Sequence, residues 1–161
     1  MPHRWAFRRT GVAWLLTIGA KVEFDDLRDT NGDRAIFDRN DLPPLHARTL
    51  AGVELPWSRR DTEATLSWLG AWRGGGRIAT IRLPQCRVGD EGLRALLEFP
   101  NLCCLDLRLT RLGGGAAARI VADLPKLEVL VVSPGQLSGA ESKAIVDARP
   151  GLKVNEEDFY S

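Results

Sequence analysis

The second half of the chain repeats one arrangement of apolar and polar positions. Ile78-Ala-Thr-Ile81-Arg-Leu83, Leu102-Cys-Cys-Leu105-Asp-Leu107 and Leu127-Glu-Val-Leu130-Val-Val132 each read apolar-x-x-apolar-x-apolar, with starts 24 and then 25 residues apart. Leu152-Lys-Val154 is a shortened copy a further 25 residues on, and Leu50-Ala-Gly-Val53-Glu-Leu55 fits the same template 28 residues before Ile78. Other positions keep the period: Val88, Leu112 and Leu137 after each strand, then Leu93 or Leu96, Ile120 and Ile145, and Pro100, Pro125 and Pro150 two residues before the next copy. A period of this size is the signature of one structural unit used repeatedly.

Each unit is legible physically. Alternate apolar residues place one face of a short strand inward. A helix then returns the chain: Thr62–Trp72, Asp90–Phe99, Ala116–Asp123 and Ser138–Asp147 are the expected helices. Ser138-Gly-Ala-Glu141 is a capping-box sequence, and the recurring prolines stop each helix before the next strand. No such strand and helix can bury their shared apolar face alone, so the copies must stack, giving a parallel sheet.

These residues resemble the leucine-rich repeat, L-x-x-L-x-L-x-x-N/C-x-L. Cys86 falls on the N/C position and Val88 on the next apolar one, whereas Thr110 and Gly135 occupy that slot in the following copies. The run VGDEGLRALLEFPNLCCLDL is similar to short bacterial leucine-rich repeat proteins with ribonuclease-inhibitor-like units, and RRTGVAWLLTIGAKVEFDD is similar to the helix and strand that precede the repeats there. The resemblance implies an α/β solenoid: a short parallel sheet, helices on the convex side and an irregular N-terminal cap. It also implies a protein-binding scaffold. The expected division is a cap over residues 1–49 and a repeat domain over 50–161, with about four repeats, the last truncated.

The N-terminal fifty residues differ in character. Gly19 is placed to end an amphipathic helix that feeds a strand at Lys21–Phe24. Trp5, Trp14, Trp57, Trp68 and Trp72 all lie in the first 72 residues, and large aromatics there are expected to cover the first repeat. Asn31-Gly32 signals a type I′ turn between Val22–Phe24 and Ala35–Phe37. The same stretch spaces Asp29, Asn31 and Asp33 as a calcium loop does. In that frame Arg34 replaces the required glycine and Asn40 the bidentate acid, and shifting Gly32 into place puts Leu27 at the first ligand position.

Composition narrows the chemistry. The chain has 161 residues, and one domain of that size needs no metal or disulfide to hold its core. Basic residues number 22 and acidic 21, a net charge of +1, which argues against a nucleic-acid partner. The apolar run from Gly11 to Ala20 is too short to span a bilayer. It has the leading arginines and apolar stretch of a signal peptide but no small-x-small cleavage site after it. Three cysteines, two of them adjacent, suit a reducing compartment, so a cytoplasmic location is expected. No catalytic, metal or cofactor site is expected. His3 and His46 lack a nucleophile or carboxylate pattern, and Gly113-Gly-Gly115-Ala-Ala-Ala118 lacks the acid that a dinucleotide site places on the following strand.

The residues between the buried apolar positions remain to meet a partner. Glu54, Thr80, Arg82, Cys104, Asp106, Arg108, Val129 and Val131 are the candidates on the concave sheet face. Glu54, Arg82 and Asp106 should stand side by side as a row of alternating charge, and Val129 and Val131 should leave an apolar end. The expected function is non-enzymatic binding of an unknown protein partner. The alternative is a calcium- or ligand-dependent regulator using the acidic segment 23–41.

Overall fold

The computed structural model describes residues 12, 15–16, 18–28, 30–31, 33–38, 40, 50–55, 62–72, 75–110 and 115–158, the side chains of 26–28 and 90 excepted. Within them lies a seven-stranded, mostly parallel sheet with four α-helices. The strands are β1 (Lys21–Arg28), β2 (Arg34–Phe37), β3 (Leu50–Glu54), β4 (Thr80–Arg82), β5 (Cys104–Asp106), β6 (Val129–Val132) and β7 (Lys153–Glu156). The helices are α1 (Thr62–Ala71), α2 (Asp90–Ala95), α3 (Ala116–Asp123) and α4 (Gly139–Ala148). Sheet order is β2-β1-β3-β4-β5-β6-β7, an open ribbon. β3 to β7 are parallel, and β1 is antiparallel to both β2 and β3.

The spacing expected from the sequence is the register observed. Val53, Ile81, Leu105, Leu130 and Val154 stand in one lateral row. Leu83, Leu107 and Val132, which close each apolar motif, are at most 1% exposed. α1 packs on α2, α2 on α3 and α3 on α4, so the helices follow the strand order on one side of the sheet. The core lies between the two layers, with Phe24, Leu66, Leu69, Leu96 and Phe99 filling it alongside the repeated aliphatics.

Polar groups in the turns join one unit to the next. After β4 the Cys86 thiol points at the Leu55 carbonyl at 4.0 Å. After β5 the Thr110 hydroxyl donates to the Leu83 carbonyl at 2.6 Å. After β6 the Gln136 amide donates to the Leu107 and Thr110 carbonyls at 2.7 and 2.8 Å. Gly135, expected in that slot, is instead the left-handed turn residue, φ 70°, a role Gln85 and Leu109 fill in the preceding units at φ 57°. Gly135 stands one position later in its unit than they do, and the carbonyl-binding role likewise moves one position on, to Gln136, while Leu137 keeps the same spacing from the strand as Val88 does. The buried carbonyl that closes each strand would otherwise lose a hydrogen bond.

Helix ends follow the sequence closely. Gly19, at φ 85°, ends the N-terminal helical segment. Ala20 donates to the Leu15 carbonyl and Gly19 to that of Leu16, the paired bonds of a Schellman motif. Ser138 and Glu141 form the expected capping box on α4. Glu141 also accepts from the amide of Gly115, the N-cap of α3, at 3.1 Å, and Glu63 of α1 accepts from Gly89, the N-cap of α2, at 2.7 Å. Carboxylates from neighbouring helices thus serve two helix N-termini, where negative charge is favoured.

One expectation about the N-terminal region changes. A hairpin forms, but β1 runs on to Arg28, which pairs with Arg34, so residues 29–33 connect the strands in place of a two-residue Asn31-Gly32 turn. Of the tryptophans, Trp68 and Trp72 stack with ring centroids 6.3 Å apart and pack against the core. Trp5, Trp14 and Trp57 lie outside the described residues, as do Asp29, His3 and His46.

Candidate functional site

The sheet face turned away from the helices carries the residues expected to meet a partner. Register places Gly52, Thr80, Cys104, Val129 and Lys153 in one row, and Glu54, Arg82, Asp106, Val131 and Asn155 in the next. The expected charge row is therefore present. Its charges do not pair with one another, however. Lys21 donates to Glu54 at 2.8 Å, Arg82 to Glu23, and Arg108 to Asp106 at 2.7 Å.

Glu23 is the residue that sequence reasoning missed. The antiparallel pairing of β1 and β3 sets Glu23 opposite Gly52. Its carboxylate then lies over the Gly52 backbone and reaches Arg82 on β4. A Cβ at residue 52 would fall 2.7 Å from the Glu23 Oε2 atom and 3.2 Å from the Thr80 Cβ, so only glycine leaves this passage open. Glu23 is 3% exposed, and its charge depends on that one guanidinium. Val22-Glu23-Phe24 alternates as a strand should, which places Glu23 on the outer face. Its partner follows only from the strand pairing, which the sequence does not state.

At the other end Arg108 governs the face. Its guanidinium forks onto both Asp106 oxygens, with Nε at 3.1 Å from each. Hydrogen bonding to Asp106 raises the Arg108 pKa above its ordinary value. The same group lies 3.7 Å from Glu157 and 3.5 Å from the Asp158 carbonyl, beyond β7. It thus spans the position of β6 between them, where Val131 sits in register with Asp106. Val131 is 8% exposed, so the apolar end expected there is covered. The tail docks through Glu157 and Asp158. Phe159 and Tyr160, which follow, lie outside the described residues.

Of the eight candidates, Thr80, Asp106 and Val131 are too buried to touch a partner directly and act as the floor of the face. Glu54, Arg82, Cys104, Arg108 and Val129 are half-buried and accessible, with exposed Lys21 and Lys153 at the margins. Burial pushes the Cys104 thiol pKa up, against the pull of Arg82, which keeps it a weak nucleophile. Among the described residues no group of three His, Cys, Asp or Glu could hold a metal ion, and no helix is long and apolar enough to cross a membrane. On the helix side, an open groove between α1 and α2 is lined by Ser67, Ala71, Glu91, Arg94, Ala95 and Glu98.

No protein-family model matches this chain, and no curated protein matches it at a significant level. The functional reading therefore rests on the geometry of the face itself.

Proposed function

We propose that the chain is a leucine-rich repeat module, non-enzymatic, that holds a protein partner on the outer face of its parallel sheet. The solenoid reading is supported by the Cys86, Thr110 and Gln136 contacts, which bind equivalent carbonyls of the preceding strand in three successive units. The single observation that carries the binding reading is the arrangement of accessible charge, half-buried except at Lys21. Lys21, Glu54, Arg82 and Arg108 stand on a rigid, hydrogen-bonded surface, with Cys104 and Val129 between them. Charged groups held in place lose little conformational entropy on contact, which favours recognition of a segment bearing both signs of charge. None of the three cysteines is in a disulfide, in keeping with a reducing compartment.

The test is site-directed photo-crosslinking. A photoreactive residue at Val129 should trap a partner that one at Ala144, exposed on α4, does not. Reversing the surface pair with Lys21→Glu and Glu54→Lys keeps the pair but should reduce the adduct by about tenfold. Equal trapping from Ala144, or an adduct indifferent to the reversal, contradicts the proposal.

A further inference from the structure

The far end of the sheet carries a second surface. Among the described residues β7 pairs with β6 on one side only. The amides of Lys153 and Glu157 donate to the Glu128 and Val132 carbonyls at 2.9 and 3.0 Å, so the odd-numbered residues of β7 address β6. Strand alternation then turns the N–H and C=O of Val154 and Glu156 outward, along the free edge. Leu152 and Val154 are only partly buried there. Val146 of α4 is 52% exposed. It lies roughly 140° round the helix from Glu141, which faces α3, and so points toward the same open end.

We propose that this edge binds a second copy of the chain, β7 against β7 in antiparallel fashion about a two-fold axis, giving one continuous sheet. The registers available are few, because side chains on the outer face must stay on that face in both copies. One of them satisfies every outward group. Val154 opposite Glu156 of the second copy exchanges both backbone bonds, and the symmetric pair does the same. Lys153 then stands directly opposite Glu157 of the second copy, on the outer face, twice over. Asn155 meets its own copy at the axis. The edge is thus self-complementary in charge as well as in hydrogen bonding, the property an isologous interface requires. The alternative register, with Val154 opposite itself, sets Glu156 against Leu152, whose amide is already bound to the Arg149 carbonyl at 3.2 Å. The side chain of Glu157 is 50% exposed, so it can receive Lys153 while remaining near Arg108.

Sedimentation equilibrium over a concentration series tests this. The wild type should associate to a dimer. Lys153→Glu sets like charges opposite each other at two places and should weaken the dimer by about tenfold or more. Combining Lys153→Glu with Glu157→Lys should restore it. Asn155→Cys provides a second, independent reading. Facing residues of a pair without mutual backbone bonds have Cα atoms about 4.5 Å apart, within disulfide range. Mild oxidation should therefore link two chains of the Asn155→Cys variant covalently, and the wild type, which retains Cys86, Cys103 and Cys104, should show no such link. A chain that stays monomeric throughout the series, a dimer indifferent to Lys153→Glu, or oxidation that links the wild type equally would each overturn the proposal.

Discussion

At the hairpin end of the sheet, Glu23 reaches across β3 above Gly52 to Arg82; at the far end, Arg108 reaches from β5 across the position of β6 to Glu157 and Asp158. Both are charged bridges that span one strand, yet they differ in what lies beneath and where they finish. The first runs over a residue with no side chain and ends on a carboxylate shut away from water. The second crosses a strand that carries Val131 and ends on Glu157, half in solvent. A buried carboxylate without its guanidinium is costly, whereas an exposed pair contributes only about 0–1 kcal/mol. The Glu23–Arg82 contact is therefore fixed architecture, and the Arg108–Glu157 contact is the weaker of the two.

The largest effect should come from closing the passage that Glu23 uses. Gly52→Val forces the carboxylate off Arg82 and crowds Thr80, and should cost about 2–3 kcal/mol in urea unfolding. Next, Glu23→Ala should cost about 2 kcal/mol, because Arg82 is partly solvated, while Glu157→Ala should stay within about 0.5 kcal/mol. Equal losses at the two ends would erase the contrast. Between the ends, Thr110→Val keeps shape but leaves the Leu83 carbonyl with only the longer bond from the Cys86 amide, 3.3 Å, and should cost about 1 kcal/mol by the same measurement.

The smallest effect concerns pH. Three hydrogen bonds, from the Ser138 amide and hydroxyl and from the Gly115 amide, hold the Glu141 carboxyl below its ordinary range. Its folded pKa is thus lower than its unfolded one. The stabilisation it brings is present above the usual glutamate pKa, about 4.3, and is lost as pH falls through the depressed value. Glu141→Gln should accordingly be less stable than wild type near neutrality, with the gap closing below that range in acid-unfolding curves.

Much of the repeat region was legible because its periodicity is enforced by burial. Leu83, Leu107 and Val132 recur where each strand must enter the core, and the register followed from that spacing. The charge row Glu54–Arg82–Asp106 was legible for the same reason. Its partners were not. Glu23 meets Arg82, 59 residues away in the chain, because β1 pairs antiparallel with β3, and no local pattern encodes it. The role of Gln136 was hidden because the turn residues shift by one position within a spacing to Leu137 that stays the same. Val131 reads as exposed and apolar in the sequence, yet it is 8% exposed in the sheet. Long polar side chains that cross a strand are governed by tertiary geometry, and a period of apolar residues carries no information about them.

Methyl nuclear Overhauser contacts in selectively labelled protein test the stacking on which all of this depends. In-register parallel strands lie about 4.8 Å apart, so contacts should step from Val53 to Ile81, to Leu105, to Leu130 and to Val154, each residue touching the next. An unbroken walk in that order is the expected result. A missing Ile81–Leu105 step, or Leu105 in contact with residues of a different strand row, would contradict the account.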